Sequence, residues 1–184
     1  MVDGIVLAGG KSSRLGQNKM NIMFKGKTVI QHTIEQMRPV CDHIFVITGF
    51  YHEEISRSFE PRQGLHFVFN PDYEKGMFTS VKKGVACTKN DFFIIPGDYP
   101  LVKTTTYRKI LLGAKGIRVP SFSFKLGHPI YFSKIYKKKI LEADVEHLKA
   151  FRNKFEYEMI NVDDKGILFD IDTFNDVKNL KKEE

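Results

Sequence analysis

Tryptophan is absent from this 184-residue chain, and cysteine occurs only twice, as Cys41 and Cys87. Neither cysteine belongs to a CxxC pair, so no metal knuckle or disulfide framework is expected, and a reducing compartment is the simpler setting. Long apolar runs are missing as well. The first, Ile5 to Ala8, is ended by Gly9 and Gly10, far short of a signal-peptide core or a membrane span, so a cytoplasmic protein without membrane attachment is expected. Repeats, low-complexity linkers and a clear domain boundary are lacking, so residues 1–184 are expected to form one domain. No Ser/His/Asp arrangement is visible, and no histidine or cysteine accompanies His128 at zinc-ligand spacing.

What is present is ordinary globular material: 42% hydrophobic and 28% charged residues, enough to build a core. Lys and Arg number 29 against 22 acidic residues, a formal charge of +7 that favours phosphates in general. The runs Lys137–Lys139 and Lys181–Lys182 lack interleaved aromatics, so they are expected to be solvated helix faces or tail, with no nucleic acid bound.

Short β-branched and aromatic runs, Gly4–Leu7, His43–Thr48, Leu65–Asn70 and Asp91–Pro96, alternate with apolar residues at helical spacing. Ile30, Ile34 and Met37 form one such face, Ile55 and Phe59 another, and Met77, Val81 and Val85 a third. This βαβα order predicts a mostly parallel sheet covered on both faces. Further on, Thr104–Thr106 are expected to cap a fourth helix, Gly116–Pro120 and Pro129–Phe132 to be strands, and Ser133–Arg152 to be a basic helical stretch. A strand over Tyr157–Val162, a turn at Asp163–Gly166 and a helix over Phe174–Leu180 complete the reading.

The segment LAGGKSSRLGQNK, Leu7 to Lys19, joins the first predicted strand to the first helix. Ligands of open α/β sheets bind beyond the carboxyl ends of strands, so a nucleotide is expected here. Gly9 and Gly10 allow backbone N–H groups to approach phosphate, Arg14 can fork two bonds to it, and Lys11 and Lys19 add charge. The expected nucleotide-binding set is Leu7, Ala8, Gly9, Gly10, Lys11, Ser12, Arg14 and Lys19. A plain connection with solvated basic side chains is the alternative. A Walker A loop is excluded, because Gly10 stands where its lysine belongs and Ile5–Ala8 is a hydrophobic strand. No Rossmann GxGxxG is present either.

AGGxSxRxGxxK resembles the signature of the MobA-like NTP transferases, which include the guanylyl- and cytidylyltransferases of molybdenum cofactor. Three later segments are similar to that family's pattern in the same order: GMFTSVKKGV at Gly76–Val85, PGDYPLV at Pro96–Val102, and GHPIYF at Gly127–Phe132 paired with DIDTF at Asp170–Phe174. The resemblance implies a Rossmann-like three-layer α/β/α sandwich, its sheet mostly parallel with an antiparallel element in the second half. It also assigns Asp98 to Mg²⁺ and, by the family pattern, makes Asp172 the second ligand with Asp170 in support. Hard Mg²⁺ needs only one or two carboxylates beside substrate phosphates, which suits these positions. An Asx-turn at Asp98 and helix capping by Asp172 or Thr173 are the structural alternatives. His128 is placed near the acceptor, and Ser80, at a helix start, is expected to contact acceptor phosphate.

The implied reaction transfers a nucleoside monophosphate from an NTP to a molybdopterin-type phosphorylated acceptor, with Arg14, Lys19 and Asp98 catalytic and CTP preferred over GTP. Transient contact with a molybdoenzyme or its chaperone would follow. Two departures mark this chain: Phe174 replaces the proline after DIDT, and LEADVEHLKAFRNKF replaces the family's GDxGAR stretch. One rival keeps the fold but takes a sugar phosphate or another small metabolite, whose usual loop would read GGxGTR. Another is a non-catalytic nucleotide-binding or partner-docking domain.

Overall fold

The computed structural model describes residues 1–12 and 15–181, the last by its backbone alone. Strand β1 (Val2–Ala8) leads through the short β2 (Met23–Phe24) and β3 (Lys27–Thr28) into α1 (Val29–Met37). Then come β4 (His43–Thr48), α2 (His52–Arg57), β5 (Leu65–Phe69), α3 (Met77–Cys87), β6 (Asp91–Pro96) and α4 (Thr104–Leu111). The second half runs β7 (Ile117–Phe122), β8 (Lys125–Leu126), β9 (Ile130–Phe132), α5 (Lys137–Glu142), α6 (Leu148–Arg152), β10 (Glu158–Asn161) and α7 (Phe174–Lys181).

The main sheet has the order β10-β7-β9-β6-β1-β4-β5, with β8 paired to β7. Strands β5, β4, β1 and β6 run parallel, as do β7 and β10, whereas β9 lies antiparallel between β6 and β7. Alternate side chains of the central strands feed two cores. Val6, Ala8, Phe93 and Ile95 pack with α1 and α4 on one face, and Ile5, Leu7, Phe92 and Ile94 pack with α3, α5 and α6 on the other. The expected three-layer α/β/α sandwich is therefore present, with its antiparallel element in the second half. From β1 the chain moves outward through β4 to β5, then returns to the other flank at β6. That reversal opens a crevice beyond the carboxyl ends of β1 and β6.

Three local expectations need correction. The basic stretch from Ser133 to Arg152 is not one helix: α5 ends at the extended Ala143, and His147 caps the separate α6 by accepting the Ala150 N–H. At α4, the threonines do not supply the cap. Its first turn is satisfied from elsewhere in the fold, since Lys103 N donates to Asp164 (2.9 Å) and Thr104 N to Gln36 (3.0 Å). Nor is the 137–139 run wholly solvated. Lys137 donates to the carbonyls of Ala86 and Thr88 at the end of α3, and Lys139 lies over the Tyr136 and Phe155 rings. Both bind α5 to its neighbours. Among the described residues, no helix is long and apolar enough to cross a membrane.

Candidate active site

The polar loop after β1 is built around close backbone approaches. A Cβ at Gly49 would lie 2.5 Å from the Gly9 carbonyl, and one at Gly9 would meet Ser80 Oγ at 3.0 Å, so these segments touch without side chains between them. At Gly10, by contrast, a Cβ would meet nothing within 4 Å, which leaves open space above the loop for a ligand. Ser12, at φ 51°, turns the chain back: its carbonyl accepts from Leu15 and Gly16, and its Oγ accepts from Lys19 N at 3.3 Å. Lys19 opens a short 3₁₀ turn over Lys19–Asn21, which Asn18 caps through Met20 N at 3.1 Å. The turn delivers the Lys19 ammonium to the crevice.

There it bonds Asp98 and, at 2.8 Å, Asp172 Oδ1. Asp98 follows β6 and is only 6% exposed, and its Oδ1 has no hydrogen-bond partner among the described residues. Backbone bonds bring the distant DID segment alongside: Ile171 N donates to the Asp98 carbonyl (3.2 Å) and His128 N to the Ile167 carbonyl (3.0 Å). Ligand oxygens of Asp98, Asp170 and Asp172 then lie within 4.8 Å of one another. The helix-capping alternative is taken up by Thr173, whose Oγ1 accepts from Asp176 N (3.3 Å) while Asp176 accepts from Thr173 N (2.7 Å). Asp172 is thereby left facing Lys19.

Three carboxylates facing one described ammonium hold excess negative charge, and the titration directions reflect it. Burial, reinforced by Asp170, pushes Asp98 above the usual carboxylate range against the pull of Lys19. Burial and then Asp172 raise Asp170. For Lys19, burial works against the ammonium, but Asp98 and Asp172 outweigh it and hold its pKa above the ordinary value. A trio with an unpartnered buried oxygen suits a hard divalent cation.

A cavity of about 750 Å³ opens from this point, lined on one side by Leu7, Lys19, Asp98, Asp170 and Asp172. Residues 4–157 match the MobA-like NTP transferase domain. The chain belongs to this family. It is 29% identical over 184 residues to a molybdenum cofactor cytidylyltransferase of Escherichia coli (strain K12), covering 98% of this chain and 96% of that one. A probable molybdenum cofactor guanylyltransferase of Thermococcus sibiricus is 27% identical, with 97% and 96% covered. The fold matches the crystal structure of Rv0371c from Mycobacterium tuberculosis H37Rv with a TM-score of 0.86 at 23% identity, covering 98% of this chain and 97% of that one. Rv0371c has also been solved as a complex with manganese, matched at a TM-score of 0.79 and 20% identity over 100% of this chain and 99% of that one.

In this MobA-like NTP transferase, the structure gathers Leu7, Lys19, Asp98, Asp172 and His128 around one cavity. Arg14 lies outside the described residues. Lys11 turns away to Glu74 (2.6 Å) and the Phe50 ring. Ser80 is separated from His128: it is buried beneath Gly9 and accepts from Asn70 Nδ2 at 3.0 Å. Sequence reasoning did not pick out Tyr99, whose ring stands edge-on to His128 at 5.0 Å, nor Lys125, His147, Lys149 and Arg152 on the cavity wall. The only signal for the last three was the replaced GDxGAR stretch.

Burial, followed by the charge of Arg152, lowers the His128 pKa from 6.5 to about 4, against a hydrogen bond to the Ile94 carbonyl that raises it. The ring is therefore neutral in the folded protein near pH 7. Its contribution to stability is fully present above pH 6.5 and is lost as pH falls towards about 4, because the unfolded chain takes up the proton first. Urea unfolding of wild type and His128→Phe across that window is expected to show the wild type losing up to about 3 kcal/mol relative to the variant. Parallel pH profiles would contradict it.

Proposed function

We propose that this protein transfers a nucleoside monophosphate from an NTP, preferably CTP, to molybdopterin cofactor and releases pyrophosphate, acting in the cytoplasm. The observation that carries this reading is the convergence of Lys19, Asp98 and Asp172 from three separate segments beside a glycine loop at the sheet's switch point. CTP is preferred because the cytidylyltransferase relative is similar along nearly the whole chain and the GHP and DID segments meet in one cavity. A guanylyltransferase relative is 27% identical over nearly the same span, so the two bases are compared directly below.

An acceptor phosphate oxygen forms a bond to the α-phosphorus of the NTP as the bond to the leaving pyrophosphate breaks and carries its electron pair away. The attacking oxygen is already anionic, so no base is needed. Gly9 and Gly10 offer backbone N–H groups to the phosphates, and Lys19, with Arg14 from the same loop, supplies charge as pyrophosphate departs. Asp98 and Asp172, supported by Asp170, would hold Mg²⁺, which neutralises triphosphate charge when bound. His128 and Tyr99 border the acceptor side.

Incubation with Mg²⁺, molybdopterin and each NTP in turn, followed by pyrophosphate release, tests base and acceptor together. The expected order is CTP above GTP in kcat/KM, with ATP and UTP poor. A higher value with GTP would reverse the base, and release with none would refute the reaction.

A further inference from the structure

The cavity has a second charged wall that the reaction described above leaves unused. Arg152 of α6 lines it at 6% exposure, yet it pairs with no carboxylate among the described residues. Its Nε and Nη2 donate to Asn153 Oδ1 at 3.2 and 2.8 Å, and its guanidinium lies 4.9 Å from the Tyr157 ring centre. Those contacts fix the plane of the fork but neutralise nothing. A guanidinium carries five N–H donors, so several remain to be satisfied, and a buried cation without a counter-charge is costly unless an anion joins it. Two neighbours on the same short segment add donors. His147 accepts the Ala150 N–H through Nδ1 at 3.0 Å, which leaves the proton on Nε2 as a donor, and both His147 and the exposed Lys149 line the cavity. Lys125 of β8 lines the cavity too.

We infer that Arg152, His147 and Lys149 form an anion subsite that holds the phosphate of the acceptor against the α6 wall of the cavity. This rests on the nucleotidyl-transfer reading and deepens it, naming the acceptor as a phosphate monoester gripped by a planar fork. The three residues stand in the stretch that replaces GDxGAR, so this chain carries its own means of acceptor binding.

The probe is inorganic phosphate, titrated calorimetrically while Mg²⁺ and a non-hydrolysable NTP analogue fill the nucleotide site. Arg152→Gln is expected to weaken phosphate binding and raise the molybdopterin KM by about ten-fold or more, the loss typical of a charge-assisted contact. Lys149→Ala and His147→Asn, which retains a capping side chain, are expected to do so by about three-fold each. The NTP-analogue affinity should stay within two-fold of wild type throughout. If Arg152→Gln fails the circular-dichroism check for folding, the double variant of exposed His147 and Lys149 decides. Unchanged phosphate affinity and acceptor KM in folded variants would overturn the subsite, as would an equal loss of nucleotide affinity. If wild type binds phosphate through these residues but makes no product with any NTP, the subsite stands and the reading of the reaction falls.

Discussion

Asp98→Asn is expected to abolish nucleotidyl transfer, by on the order of a thousand-fold or more in kcat, while leaving the fold intact. The substitution keeps the shape of the side chain, and the Asp98 backbone carbonyl, which accepts from Ile171 N, is untouched. What disappears is the buried carboxylate charge, including the Oδ1 that has no hydrogen-bond partner among the described residues. A cation held at the trio should then be lost. Thermal unfolding with and without Mg²⁺ or Mn²⁺ checks this independently of activity: both ions should raise the wild-type midpoint and leave that of Asp98→Asn unmoved. Full turnover in the variant, with the same metal requirement, would remove Asp98 from the mechanism.

Lys19→Met is expected to lower kcat by about a hundred- to a thousand-fold, the usual cost of removing one oriented charge-stabilising donor, about 2.7–4 kcal/mol. NTP binding should weaken far less. The same variant should respond to metal in the opposite sense from Asp98→Asn. The ammonium already bonds Asp98 and Asp172, so removing it leaves the carboxylates short of positive charge, and added Mg²⁺ should stabilise the variant more than it stabilises wild type. Normal kcat with only a changed salt dependence of binding would make Lys19 a steering charge.

Much of the site was legible because its chemistry sits at strand ends and in glycine loops, where local sequence constrains the backbone. The bounds of β4 and β6 follow from their apolar runs, and Asp98 follows from the turn after β6. The order of the sheet is another matter, since no local pattern says that β9 inserts antiparallel between β6 and β7. The two-residue strands β2, β3 and β8 exist only through their partners. Residues 133–152 misled for a related reason. LEADVEH consists largely of residues compatible with a helix, and the break appears only when His147 turns to cap α6. Arg152 then reads as one more cation on a basic helix, whereas its burial, and the lack of a carboxylate partner among the described residues, set it apart. Lys137 was hidden in the same way, because its carbonyl partners at the end of α3 lie about fifty residues earlier in the chain.

A third, smaller core joins the beginning of the fold to its end: Leu15, Phe24 and Val29 pack with Ile171 and Leu180, all of them buried. The loop after β1 is thus packed against the DID segment and α7, which follow every strand of the sheet in the chain. Strands β1, β4 and β6 pair without the DID segment, but Lys19 meets Asp172 only when that later segment is docked. Local opening of this small core is therefore expected to release Lys19 from Asp172 while the sheet stays paired, so order at the site is a separate matter from order of the sheet.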